Sequence, residues 1–283
     1  MWSFLKSFIR KKKNDKKISN LLQLYKDLDT YQIAVNGNIV YFDTTDDFSR
    51  LWYHASRRST EYHEPHLSKQ FIHHIQEGHV VFDIGSLIGY FVCMASELVG
   101  KSGEVHAFEI DKKCLPLIEK SIVLNNYKNV KINNVAVCDR IGIERITQSD
   151  NIKFGEMLSV GSQKNSIEIE ATSIDKYIEL SGVFPDLIKI DVEGSELRVL
   201  KGMQQLLLKG KVKLLIEIHV KKLKQFYNVH YKELIQFLHD LDYTMELIPE
   251  ENKIGKRSFV DQNTLLEDNS LIYAFRVEKL DGT

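Results

Sequence analysis

Proline is scarce, four in 283 residues, and the 15 glycines nowhere gather with it into a flexible tether. That excludes a string of separately tethered domains and leaves one large core, or one core with an appended segment. Cysteine is rarer still: Cys93, Cys114 and Cys138 are odd in number, lie apart, and each falls inside a predicted buried element. This excludes a disulfide framework and points to a reducing compartment, hence a cytoplasmic location. A formal net charge of −1 removes any overall attraction to nucleic acid. With 43% hydrophobic and 27% charged residues, the composition is that of a soluble globular protein.

The amino terminus departs from this average, since residues 1–17 carry seven basic side chains against Asp15, a local charge of +6. Trp2, Leu5 and Ile9, with Phe4 and Phe8 beside them, form an apolar stripe on a short predicted helix. Such a segment suits peripheral contact with an anionic membrane or a partner protein; the alternative is a solvated tail. It is too short and too charged to span a bilayer, and no small-residue cleavage site follows it. Residues 18–78 read as a mainly helical lead-in packed on the main domain, with a hairpin predicted at Asn36-Gly37 and a helix starting at Pro65. Residues 79–283 form the main domain, in which strands and helices alternate, the pattern of a mostly parallel, doubly wound α/β sheet.

The most informative stretch is 79–111. Val80, Val81 and Phe82 fit a strand buried on both faces, and Asp83-Ile84-Gly85 turns the chain. Ile88, Phe91, Val92, Ala95 and Leu98 recur at helical spacing, and a second strand over 105–108 delivers Glu109 to the same sheet edge. A carboxylate there accepts from both hydroxyls of a ribose, so Glu109 is the expected ribose ligand. Gly85 and Gly89 let the backbone bend and a ligand approach it closely. Their G-x-x-x-G spacing is not the dinucleotide fingerprint, and an acid two residues before the first glycine repels a pyrophosphate. S-adenosylmethionine carries no phosphate, and its amino-acid end bears an ammonium and a sulfonium that suit Asp83. Gly100-Lys101-Ser102 does not complete a phosphate loop, because Ala95 stands where the first glycine belongs and the tripeptide follows a helix instead of opening one. The histidines at 63, 66, 73 and 74 lack zinc spacing and read as solvated or capping groups.

Further along, strands are predicted over 130–137, 186–190 and 212–218, with helices over 174–180 and 194–208. Ligands of open α/β sheets sit outside the carboxyl ends of the strands. Asp191 ends one such strand, followed by Glu193-Gly194, and Glu217 and His219 end the next on one face. Asp191, Glu217 and His219 are therefore the candidate catalytic residues, and Asp83, Gly85, Gly89, Glu109 and Asp139 the candidate cofactor-binding set. The structural alternatives are helix capping by Asp191 or Glu193 and a hydrogen-bonded core histidine at 219.

These residues together resemble the FkbM-type methyltransferases. The resemblance rests on Glu64-Pro65, the turn from Asp83 to Tyr90, Ala107-Phe108-Glu109, Ala136-Val137, Ile174-Asp175, the run Ile188-Lys189-Ile190-Asp191-Val192-Glu193-Gly194 with Glu196 and Leu200-Lys201-Gly202, and Glu217-Ile218-His219. It implies a Rossmann-like class I fold of seven strands with the last antiparallel, S-adenosylmethionine as cofactor, and O-methylation of a hydroxyl on a sugar or natural product. The chain departs from the family at Ser86-Leu87, where the first turn usually continues Ala-Asn, and at Ile110, where proline is common. His219 or Asp191 is expected to take the acceptor's proton. Asp191 with Glu217 holding magnesium or calcium is the alternative to a metal-free base. The rival classes are a nicotinamide-dependent oxidoreductase and a non-catalytic cofactor-fold module bound through residues 1–17. The polar stretch 155–165 is expected to cover the site, and acceptor choice is assigned to residues 149–166 and to the lead-in.

Overall fold

The computed structural model describes residues 13–55, 62–147, 166–249 and 258–277. The expected flap over 155–165 and most of the basic segment lie outside them. The lead-in begins with helix α1 (Lys13–Leu24) and the hairpin β1 (Thr30–Val35) and β2 (Asn38–Asp43). Asn36 and Gly37 both take positive φ, +48° and +85°, as the two-residue turn demands. Next come α2 (Asp47–Arg50), which runs into a π-helical turn (Leu51–Ala55), and α3 (Pro65–His74). Among the described residues the lead-in is thus helix, hairpin and helices.

The main body follows as β3 (Val80–Ile84), α4 (Tyr90–Val99), β4 (Glu104–Phe108), α5 (Leu115–Leu124), β5 (Val130–Asn133), β6 (Ala136–Val137), β7 (Gly142–Thr147) and β8 (Ser166–Thr172). It continues with α6 (Ile174–Ser181), β9 (Leu187–Ile190), α7 (Glu196–Lys201), α8 (Gln204–Lys209), β10 (Lys213–Ile218), α9 (Val220–Tyr227) and α10 (Tyr231–Asp240). The described chain closes with β11 (Thr244–Ile248), β12 (Ser258–Phe259) and β13 (Ser270–Phe275).

Among the described residues, eight strands form the main sheet in the order β12-β11-β13-β10-β9-β3-β4-β5. The expected number was seven; Ser258–Phe259 adds a short strand at one edge. Strands β10, β9, β3, β4 and β5 pair in parallel, whereas β13 runs antiparallel to both β10 and β11. A second sheet, β6-β8-β7, lies apart from it. The single strand expected over 130–137 is therefore divided between two sheets. The chain leaves the main ladder at Asn134, whose Nδ2 donates to the carbonyls of Glu109 and Ile110 at 2.8 and 3.2 Å. No helix among the described residues is long and apolar enough to cross a membrane.

Helix α4 is buried on nearly every side. Its inner face packs on the sheet, and Ile33, Val35, Val40 and Phe42 of the hairpin join it in one apolar cluster. Each such side chain contributes roughly 1.5–3 kcal/mol when fully buried, so the lead-in is bound into the core of the main body.

The helix expected over 194–208 is two. A Cβ at Gly202 would lie 2.1 Å from the Cys138 carbonyl oxygen, so the backbone passes too closely for any side chain there. Helix α8 then restarts under a cap from a distant residue, since the Asp175 carboxylate accepts from the N–H groups of Gln205 and Leu206, both at 2.9 Å. The Asp175→Ala variant is expected to lose about 1 kcal/mol of stability in urea unfolding and to keep its ligand affinity. An affinity change at unaltered stability would contradict this capping role.

Candidate active site

Register brings the expected strand ends together. Ile84 pairs with Phe108 on one side and Ile190 on the other, and Ile190 pairs with Ile216. Gly85, Glu109, Asp191 and Glu217 are the next residues, so all four emerge at one edge. The turn is tied down by the N–H groups of Gly85 and Ser86, which donate to the Phe108 carbonyl at 2.9 and 3.2 Å. Gly85 has φ +86°, and a Cβ on it would sit 1.9 Å from the Asp191 carbonyl oxygen. Only glycine fits there.

Above this edge opens a cleft. Gly85, Glu109, Asp191 and Glu193 line it, with apolar walls that include Leu87, Ile110 and Val135. The second sheet closes one side through Val137, Glu144 and Ile146.

Glu109 is 5% exposed. Its Oε2 accepts from the Leu87 N–H and its Oε1 from the Asp111 N–H, both at 2.7 Å. Burial pushes its carboxyl up to about 7, although these N–H bonds pull the other way. With about four acceptor sites, the ionised carboxylate keeps capacity beyond its backbone N–H partners for a hydroxyl donor in the cleft.

Three of the expected cofactor residues do other work. Asp83 is fully buried and does not line the cleft. Its partner is Lys189, 2% exposed, whose Nζ lies 3.1 Å from Asp83 Oδ1 and 3.6 Å from Asp191 Oδ2, and donates to the Gly85 carbonyl at 3.2 Å. The anion expected to face a ligand's ammonium therefore faces the protein's own. Gly89 caps α4 at φ +84°, and an added Cβ would lie 3.1 Å from Ile118, so it serves the packing of α4 on α5. Asp139 holds Arg198, which itself lines the cleft, at 2.8 Å, with Glu144 on the same guanidinium.

Asp191, Glu217 and His219 do come together. One ligand atom from each lies within 4.8 Å of the others. His219 is 2% exposed, and its Nδ1 is 2.7 Å from Glu196 Oε1. Burial disfavours the imidazolium, but Glu196, Asp191 and Glu217 outweigh it and raise the ring to about 9. Glu217 is pushed up to about 8, first by burial and then by Asp191 and Glu64, while Asn269 Nδ2 donates to its Oε1 at 2.6 Å. Glu193 does not cap α7. It sits in the left-handed region at φ +58°, lines the cleft and pairs with Lys222.

Lys189, Glu196 and Glu64 were not among the candidates. Lys189 had a legible signal: a charged residue inside a four-residue strand that is otherwise apolar needs a buried counter-ion. Glu64 comes from the lead-in, at φ +42° before Pro65. Burial opposes its ionisation, yet His63, at 3.2 Å, outweighs that and holds it down at about 2, helped by Lys189 and His219. His63 is itself buried and packs on Trp52 with ring centroids 4.2 Å apart, so it is not the solvated group its spacing suggested. All three cysteines are buried free thiols.

The fold is of the α/β class, with a glycine turn, a buried carboxylate at the second strand tip and an acid–imidazole cluster beyond it. A model of the methyltransferase FkbM domain matches residues 83–245, and the chain belongs to that family. The crystal structure of methyltransferase FkbM from Methylobacillus flagellatus KT is similar at 16% identity and TM-score 0.45, covering 74% of this chain and 50% of that one. The chain thus spans about half the length of that relative. An S-adenosylmethionine-dependent O-methyltransferase from Thermotoga maritima is similar at 14% identity and TM-score 0.44, over 89% of this chain and 79% of that one. Aeropyrum pernix fibrillarin in complex with S-adenosyl-L-methionine is similar at 12% identity and TM-score 0.43, over 71% and 68% of the two chains. No curated protein sequence matches.

Proposed function

We propose that the protein transfers a methyl group from S-adenosylmethionine to a hydroxyl of a small acceptor, a sugar, glycan or natural product. The observation that carries this reading is Glu109: a desolvated carboxylate on the cleft wall, beside a glycine turn, with lone pairs left for a vicinal diol. Apolar walls at Leu87, Ile110 and Val135 fit a flat heterocycle. Asp191 and Glu193 put carboxylates on the cleft wall for the donor's cationic end, which Asp83, buried against Lys189 behind the wall, does not reach. When bound, the donor supplies an electrophilic methyl on its sulfonium, and the chain's task is alignment, exclusion of water and removal of the acceptor's proton.

The Asp191–Glu217–His219 cluster is where that proton goes. His219, raised to about 9, already holds a proton at neutral pH, which favours Asp191 over the imidazole as the accepting group. A nicotinamide dinucleotide fits this cleft poorly, since its pyrophosphate would meet Asp111, Asp191 and Glu193.

Calorimetric titration of the full chain with S-adenosylmethionine and with NAD tests the reading, followed by assay of S-adenosylhomocysteine release over a panel of hydroxyl compounds. Binding of the donor with no affinity for NAD is expected. Preferential NAD binding would overturn it, and donor binding with methyl transfer to nitrogen or carbon alone would overturn the O-methyl part.

A further inference from the structure

Behind the cleft wall, negative charge outnumbers positive. Asp191, Glu193, Glu196 and Glu217 surround His219, Glu64 adds its field, and Lys189 and Lys222 pair into the group. Glu196 fixes the histidine ring by taking Nδ1 at 2.7 Å. That turns Nε2 toward Glu193 Oε2 at 3.6 Å, Asp191 Oδ1 at 3.7 Å and Glu217 Oε1 at 3.8 Å. All three separations are too long for a hydrogen bond. A ring only 2% exposed therefore points a nitrogen into three carboxylates and bonds to none of them.

With the Nδ1 hydrogen given to Glu196, Nε2 presents either a proton or a bare lone pair. A proton there completes an imidazolium among the carboxylates; a lone pair there offers, together with Asp191 and Glu217, three donor groups to one shared cation. The spacing suits one: donors on opposite sides of an ion with bonds of roughly 2.1–2.4 Å stand about 4.2–4.8 Å apart. The ligand atoms of Asp191, Glu217 and His219 all lie within 4.8 Å of one another. The carboxylate behind the imidazole is also the arrangement that orients a metal-ligating histidine and raises its basicity.

We propose that Asp191, Glu217 and His219 Nε2 form a site for a divalent transition-metal cation of manganese(II) type, with Glu196 as the positioning residue behind the histidine. The imidazole shifts preference away from magnesium and calcium, and the two carboxylates away from the softer metals. A cation here sits beside the cleft through Asp191 and lowers the pKa of an acceptor hydroxyl that reaches it. That last consequence rests on the methyl-transfer reading; metal binding itself does not.

The test is titration of the chelator-treated full chain with manganese(II), following loss of the free-ion electron paramagnetic resonance signal, in parallel with donor titration. One ion per chain is expected, with magnesium competing weakly. Glu217→Gln and His219→Gln should each weaken manganese binding at least about tenfold, and Glu196→Gln by about 10–100-fold although it touches no metal. Circular dichroism verifies that each variant is folded, and Asp191→Asn replaces any that is not. An undiminished free-ion signal at millimolar protein, or variants that bind like the parent chain, would overturn the site. Manganese binding without donor binding would sink the cofactor reading and spare the metal, and the reverse would sink the metal alone.

Discussion

Glu109→Ala is expected to weaken S-adenosylmethionine binding by about two orders of magnitude or more. Two hydrogen bonds from a diol to an ionised carboxylate are worth roughly 1.5–3 kcal/mol each, and both go with the side chain. The turn suffers as well, because Leu87, at φ +50°, and Asp111 lose the acceptor that holds their N–H groups at 2.7 Å. The same carboxylate predicts the pH dependence. Burial raises it from 4.5 to about 7, so on acidification through that value the unliganded protein takes up a proton and loses an acceptor. Donor affinity should therefore fall about tenfold from pH 8 to pH 6, the expectation for one group titrating near 7. Stability of the unliganded protein moves the opposite way. A folded-state value above the unfolded one favours the fold fully below 4.5, and that contribution is lost as pH rises through about 7. Calorimetry at both pH values, on the parent chain and on Glu109→Gln, reads the effect directly. An unchanged dissociation constant in Glu109→Ala would remove Glu109 from the site.

Lys189→Met is the substitution expected to cost most in stability, about 3–5 kcal/mol, the usual consequence of leaving a buried charge without its partner. Asp83 is 0% exposed and Lys189 2%, and they are direct neighbours in the β3–β9 ladder with 3.1 Å between the charged atoms. Burial raises the Asp83 carboxyl above its usual value, and Lys189 is the main influence opposing that rise. Removing the lysine strands that carboxyl in the core and releases the Gly85 carbonyl at the turn. Since replacing both members of a buried pair by uncharged groups is often neutral, Asp83→Asn combined with Lys189→Met should recover most of the loss. Urea unfolding of the parent, both single variants and the double variant gives the coupling directly. Additive single effects would show that the two charges do not depend on each other.

Local chemistry was legible in the sequence by itself. Val80 to Phe82, the glycine turn at 85, the helix that follows and the acidic strand tip at Glu109 are each set by residues close in the chain, through periodicity, turn geometry and apolar continuity. So was the two-residue hairpin at Asn36-Gly37, because positive φ at both positions is a property of those residues. Asp191, Glu217 and His219 were readable as strand ends for the same reason. Tertiary structure alone decided which charge answers which. Asp83 looked free for a ligand because Lys189, which neutralises it, lies on another strand and meets it only through register. The strand over 130–137 looked continuous because its apolar pattern does not record that Asn134 ties down the β4 end while Ala136 and Val137 join the second sheet. Periodicity is a short-range property of the chain, whereas ion pairing and strand neighbourhood depend on distances that exist only after folding.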